Sequence, residues 1–513
     1  GPSTNGHIGN KWGWEATGYD YRDTSIEGFP CLHEFQVGGI VLMPTNGDLC
    51  TVPGLPTDSV KTGYRSKFNR DNEIARPGYY SVILNDYQIK AEVTATPRVA
   101  YQRFSYPAGK PGHILFDIGN RQGESGAIKD AYVTYTSDGR IEGWVITLPE
   151  YVKKYQPGQT VPLYFSAQVD ATPVAYGVFN GKDVKASVRE TKGVGSGVYL
   201  TFASDKPLTV TAKVGLSYTS VENARINLEK EAAGRSFDEV KETSHKTWEE
   251  YLSRIRVESS KKDDLVKFYT GLYHALLGRG LANDVNGAYP KNDGTVGQLP
   301  MKDGKPVHNV YNTDAAWGAQ WNLSQLWALA YPEYLSDYIS SHLTVYQDAG
   351  WLADGLANCR YVSGVGTNLL STIIAGAYQC GIRDFDTKLA YEACLKNELD
   401  GKDRPFGAGK VNTADFVKYG YVPHLDEGEG HHETFMFSAS HTLEYSYSSW
   451  AVAQWAEQLG DTANASKLRF LSKGWERLYD PEINFIHPKK ADGQFVDNFN
   501  PMQVWRGFQE GNS

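Results

Sequence analysis

The chain has 513 residues, 41% hydrophobic and 22% charged, enough for large packed cores in about three domains and unlike a disordered polymer. Its 51 basic and 60 acidic residues leave a net charge of −9, which argues against nucleic acid or an anionic membrane as the main partner. No apolar run reaches the roughly 18 residues that a bilayer span needs, and Cys31, Cys50, Cys359, Cys380 and Cys394 lack the CxxC spacing of a zinc ribbon or a disulfide framework.

Residues 1–221 read as a β domain. Ala131–Tyr135 and Ile141–Ile146 flank Asp138-Gly139, a hairpin signal, and further β-rich runs follow at Val161–Phe165, Val198–Phe202 and Leu208–Leu216. Many short strands with Gly and Pro turns predict a β-sandwich. Residues 222–260 are rich in Glu, Lys, Ala and Arg and predict a helical linker, its second helix opening on Ser236 with Glu239 as a capping box. Residues 261–513 predict a helical domain. Its clearest helix is His441–Leu459, with Tyr447, Trp450, Ala451, Trp455 and Leu459 on one face and Gly460 as the cap. Phe385–Leu399 and Asn464–Leu478 are predicted to be helical in the same way. The architecture is therefore β followed by α.

The chain contains no P-loop, no GxGxxG after a strand, no HExxH and no GxSxG, which removes kinase, dinucleotide and serine-hydrolase readings. Its 33 Tyr and 12 Trp suit either a β-rich core or a sugar cleft, where the C–H face of a pyranose stacks on a ring. His431-His432-Glu433, with His424 nearby, is either a metal cluster of unusual spacing or a polar loop. Glu444 lies three residues before Tyr447, so it is paired within the structure or lines a cavity. Asp314 precedes Trp317, Trp321 and Trp327; it is either a hydroxyl clamp or a helix N-cap. Glu510, in a Gly-containing loop, reads from spacing alone as a solvated carboxylate.

Several segments resemble glycoside hydrolase family 92, the calcium-dependent exo-acting α-mannosidases. They are Gly18-Tyr19-Asp20-Tyr21-Arg22-Asp23 with Ile26-Glu27-Gly28-Phe29, then Arg76–Val82 with Ile89–Thr96, and Phe268–His274. Gly420-Tyr421-Val422-Pro423 follows, then Thr442–Tyr447, and finally Glu510-Gly511-Asn512. The resemblance implies an N-terminal β-sandwich, a helical linker and an (α/α)6-barrel that is incomplete at its C-terminus. It implies removal of terminal α-mannose with inversion, a calcium cofactor and a glycan substrate. Glu510 is the implied general acid, and must hold a proton near neutrality. The implied base and most calcium ligands lie beyond Ser513, so a partial chain is expected, with no metal ligand assigned within it.

His33, Asp314, Trp317, Trp351, Asn368 and Glu444 are the candidate substrate-binding residues. The family's paired histidines after Gly-Phe are reduced to His33, its Arg after Trp-Asp-Thr is missing near Asp314, and Asn368 stands in its Gly-Asn-His segment. The resemblance places the protein outside the cytoplasm, secreted, periplasmic or on the cell surface; the sequence itself opens on Gly1-Pro2-Ser3-Thr4 with no signal peptide visible in it. Two other readings share the scaffold: a carbohydrate-binding or surface protein without catalysis, and another (α/α)6 carbohydrate enzyme such as a phosphorylase.

Overall fold

The computed structural model describes residues 1–7, 18–34, 36–56, 61–203, 205–277, 279–426 and 437–513, with the side chains of 313–315 excepted. The chain divides into two compact units. One comprises Gly1–Pro290, Gly294–Val307 and Tyr311–Thr313; the other comprises Lys291–Asp293, His308–Val310 and Asp314–Ser513.

The first unit is a β-sandwich with helices on it. In chain order its strands are β1 (Ser25–Ile26), β2 (Phe29–Glu34), β3 (Val37–Asn46), β4 (Ser66–Lys67), β5 (Ile74–Arg76) and β6 (Tyr79–Leu84). Next come β7 (Ile89–Ala95), β8 (Val99–Tyr106), β9 (Gly112–Asp117), β10 (Ala127–Tyr135), β11 (Ile141–Leu148) and β12 (Val161–Val169). The two large sheets are completed by β13 (Ala175–Asn180), β14 (Asp183–Ala186), β15 (Glu190–Lys192), β16 (Ser196–Phe202) and β17 (Leu208–Ser217). A nine-stranded sheet runs β15-β10-β11-β12-β17-β8-β7-β6-β5, and a six-stranded sheet runs β14-β13-β16-β9-β3-β2. Phe29, Phe104, Phe116, Phe165 and Phe179 are fully buried in this unit, large rings whose burial drives the packing. The predicted hairpin forms: Tyr135 pairs with Ile141, and Gly139 supplies the left-handed residue of the turn at φ 85°.

Among the described residues this unit also holds the α-helices α1 (Glu150–Tyr155), α2 (Val221–Ala232), α3 (Phe237–Leu252) and α4 (Lys262–Ala275). The capping box at Ser236 and Glu239 is formed. Helix α2 lies so close to β17 that a Cβ on Gly215 would come within 2.4 Å of the Ala224 carbonyl. Val99, Tyr101, Leu228, Ala232, Phe237 and Val240 form the core beneath α2 and α3.

The second unit is helical. It holds α5 (Ala316–Ala319), α6 (Leu323–Ala330), α7 (Pro332–Ala349), α8 (Leu370–Gln379), α9 (Thr387–Leu399) and α10 (Thr413–Tyr419). It continues through α11 (Ser438–Gln458), α12 (Thr462–Leu471) and α13 (Gly474–Leu478). Helix α7 opens on Pro332 and closes on a left-handed Gly350. Among the described residues no helix is long and apolar enough to cross a membrane.

Two expectations need correction. Asn464–Leu478 is two helices, broken at Ser472-Lys473, not one. The face expected to be buried on α11 is largely outward: Tyr447 is 41% and Trp450 44% exposed, although Trp455 is fully buried. The buried face instead carries His441, Tyr445, Ser448, Ser449, Val452 and Ala456. Its small residues let neighbouring helices approach, and its hydroxyls serve a buried charge. Ser448 Oγ and Ser449 Oγ donate to Glu398 at 3.0 and 2.9 Å, Ser371 Oγ donates at 2.5 Å, and Lys410 Nζ pairs with the same carboxylate.

Candidate active site at the start of helix α11

The N-cap residue of α11, Phe437, makes no side-chain cap, and a loop far along the chain satisfies the first turn instead. The backbone N–H groups of Ala439 and Ser440 donate to the Gly507 carbonyl at 2.9 and 3.1 Å, and Gln509 N–H donates to Ser440 Oγ at 3.0 Å. Gly507 is left-handed at φ 89°, and a Cβ there would strike Pro488. Phe508 anchors the loop in a cluster with Tyr421, Ala439 and Leu478. The preceding Arg506 makes a forked pair with Asp426, at 3.0 and 3.3 Å, and these bonds hold the Asp426 carboxyl below its ordinary range. His424 lies between Ser438 Oγ and Asp426 Oδ1, 3.2 Å from each. Glu510 therefore stands exposed, at φ 55°, on a loop fastened to the first turn of α11.

A second wall comes from the segment leading into α8. Asp354 is fully buried and accepts from Ser363 Oγ at 2.5 Å and Asn368 N–H at 2.9 Å. Tyr445 Oη donates to the Gly366 and Val411 carbonyls at 2.9 and 2.7 Å, and His441 Nε2 donates to the Val365 carbonyl at 3.2 Å. The Trp317 ring covers Gly364, where a Cβ would come within 2.6 Å of it. Segment 363–368 is thus clamped between Asp354 and α11.

The expected site residues are distributed as follows. Glu444 is half-buried on α11, one turn after His441, and burial raises its carboxyl pKa. Tyr447, a further three residues on, accepts from Gln320 Nε2 at 3.0 Å and stacks on Trp450 with ring centroids 6.2 Å apart. Asn368 is fully buried, and its amide donates at 2.8 Å to both Leu352 and Ala408 carbonyls. Trp351 is a core residue; Lys396 and Arg404 lie over its ring at 4.3 and 4.4 Å. His33 is on β2 in the first unit, against Gly18 and Gly38, and burial lowers its pKa. Asp314 occupies a short strand, Thr313–Ala315, just before α5; its side chain and the segment His431-His432-Glu433 lie outside what the structure describes. The structure thus brings Trp317, Glu444 and Glu510 to the surroundings of α11 and segment 363–368. It adds His441 and Thr367, whose only sequence signal is a polar side chain beside an apolar helix face.

Residues 1–217 match the glycosyl hydrolase family 92 N-terminal domain, and residues 223–513 match the glycosyl hydrolase family 92 catalytic domain. The chain belongs to glycosyl hydrolase family 92. An uncharacterized secreted glycosidase of Arthroderma benhamiae is 26% identical over 531 aligned residues, covering 96% of this chain and 61% of the relative. A family 92 α-mannosidase from Bacteroides thetaiotaomicron superposes with a TM-score of 0.87 at 23% identity, covering all of this chain and 66% of that one. A family 92 inverting mannosidase from the same organism gives 0.85 at 22% identity, covering all of this chain and 65% of its own. These likenesses establish the fold, a β-rich domain followed by a helical one. The chain spans somewhat less than two thirds of each of these relatives.

Among the described residues no group of three or more His, Cys, Asp or Glu side chains is placed to hold a metal ion.

Proposed function

We propose that the protein is an exo-acting, inverting α-mannosidase that removes terminal α-mannose from glycans, exported from the cytoplasm like the relative called secreted. The observation that supports this most is the tethering of the Glu510 loop to the first turn of α11, within the part matched by the family's catalytic domain. The names of the structural relatives point the same way: α-mannosidase, inverting mannosidase, and one solved with mannoimidazole.

In this reading Glu510 is the general acid that supplies a proton to the departing glycosidic oxygen. A second carboxylate activates water on the opposite face of the sugar, about 6.5–9.5 Å away so that the water fits between. Trp317 offers a ring face to the sugar, and Glu444, made harder to ionise by burial, clamps a hydroxyl. The fixed loops at 363–368 and 507–510 pre-orient these groups, which lowers the entropic cost of reaching the transition state.

Calcium belongs to this reading as the family's cofactor. The test is hydrolysis of an aryl α-mannoside by the full-length protein, with the anomer of the product followed by NMR. Activity should disappear with EDTA, return with calcium and release β-mannose first. Hydrolysis of α-glucosides in preference to α-mannosides, or phosphate-dependent release of a sugar phosphate, would overturn the assignment.

A further inference from the structure

Two polar atoms at this site have hydrogen-bonding capacity that the protein leaves unused. His441 is 1% exposed and Thr367 5% exposed, yet among the described residues His441 Nδ1 and Thr367 Oγ1 are buried without a hydrogen-bond partner. Such groups are uncommon in native interiors, and each calls for a physical account.

The imidazole is rigid. One face stacks on Tyr445 with centroids 5.6 Å apart and planes at 12°, Phe437 packs against it at 79°, and its Nε2 faces the Val365 carbonyl at 3.2 Å. A carbonyl only accepts, so Nε2 carries the hydrogen. Burial lowers the ring pKa to about 4, so the imidazole is neutral near pH 7. Nδ1 is therefore a bare acceptor. It requires a donor, and an anion offers none.

Thr367 follows Gly366, and a Cβ on Gly366 would lie 3.6 Å from His441 Nε2. The Nε2–Cε1 edge of the imidazole and the Thr367 backbone are thus both neighbours of one glycine. Thr367 Oγ1 can donate as well as accept. Asn368, the neighbour that the sequence marked, has already spent its amide on backbone carbonyls.

We propose that His441 Nδ1 and Thr367 Oγ1 bind adjacent hydroxyls of an uncharged pyranose and so set which sugar the site accepts. This rests on the glycan reading above, but not on mannose being the sugar.

The test measures binding of methyl α-mannoside, methyl α-glucoside and methyl α-galactoside to the full-length protein by calorimetry. The monodeoxy series of whichever sugar binds is then measured. Removing the hydroxyl that meets His441 should weaken binding about tenfold in the unaltered protein, a hydrogen bond's worth. His441→Phe should bind the parent and that deoxy sugar equally, and Thr367→Val should do so for the adjacent hydroxyl. If His441→Phe does not fold, the near-isosteric Thr367→Val carries the test alone. Binding of only a non-manno sugar, with the same loss of discrimination, would support the pair while overturning the mannosidase assignment. The proposal fails if every deoxy sugar keeps its relative affinity in both variants, or if the folded protein binds none of the three.

Discussion

Two of the buried polar regions in the helical unit are finished differently. Around Glu398 the surrounding groups converge on one carboxylate: Ser371, Ser448 and Ser449 donate to it and Lys410 neutralises it. The Glu398 and Lys410 side chains are both fully buried, and the knot joins α8, α9, α11 and the segment before α10. Burial draws Lys410 down to about 8, and the carboxylate works against that shift. At the start of α11 the wiring stops short. The loops are clamped, but His441 Nδ1 and Thr367 Oγ1 are left over. A saturated network holds helices in place, whereas a rigid network with unspent acceptors can still receive a ligand.

That contrast can be broken by mutation. The largest expected effect is on rate. Glu510→Gln should lower kcat for an alkyl α-mannoside by about 10²–10⁴-fold, as for other general acids. It should leave the thermal midpoint unchanged, because the side chain is exposed; measured kcat within threefold of the parent would remove Glu510 from the reaction.

Lys410→Met should show the opposite signature. Stripping the cation from a buried carboxylate costs about 3–5 kcal/mol, read as a drop in the urea midpoint with binding-site geometry otherwise preserved. A neutral effect would mean that the three hydroxyls alone satisfy Glu398.

The β unit supplies a third network to compare. Glu27 is buried and accepts from Ser3 Oγ, His7 and Arg65 Nη1. Burial by itself would raise its pKa, but these partners outweigh burial and hold it at about 2. Its folded value therefore lies below its unfolded one. Its contribution to stability is present above about pH 4.5 and is lost as pH falls towards 2, by roughly 3 kcal/mol at 1.36 kcal/mol per unit. Acid unfolding of Glu27→Gln should lack that increment.

The smallest effect belongs to the outward face of α11. Trp450→Ala removes an exposed ring stacked on Tyr447. It should change stability by no more than about 0.5 kcal/mol in chemical denaturation, and a loss of several kcal/mol would restore this ring to the core.

The local signals in the sequence were sufficient wherever a short stretch satisfies itself. Asp138-Gly139 makes its own turn, Ser236 and Glu239 cap their own helix, and β-rich runs followed by helical periodicity specify a sandwich and then a helical unit. The family motifs, too, were legible in the sequence. What the sequence could not reveal depends on partners far along the chain. The period of α11 shows which residues share a face but not which face is buried; that was decided by Glu398, whose charge recruits Ser448 and Ser449 inward and leaves Tyr447 and Trp450 outside. In the same way, Asn368 was consumed by carbonyls 16 and 40 residues away, while His441 and Thr367 kept an unspent atom each. Hydrogen-bond capacity is a balance struck in three dimensions, so only the tertiary structure can show which polar groups remain available to a ligand.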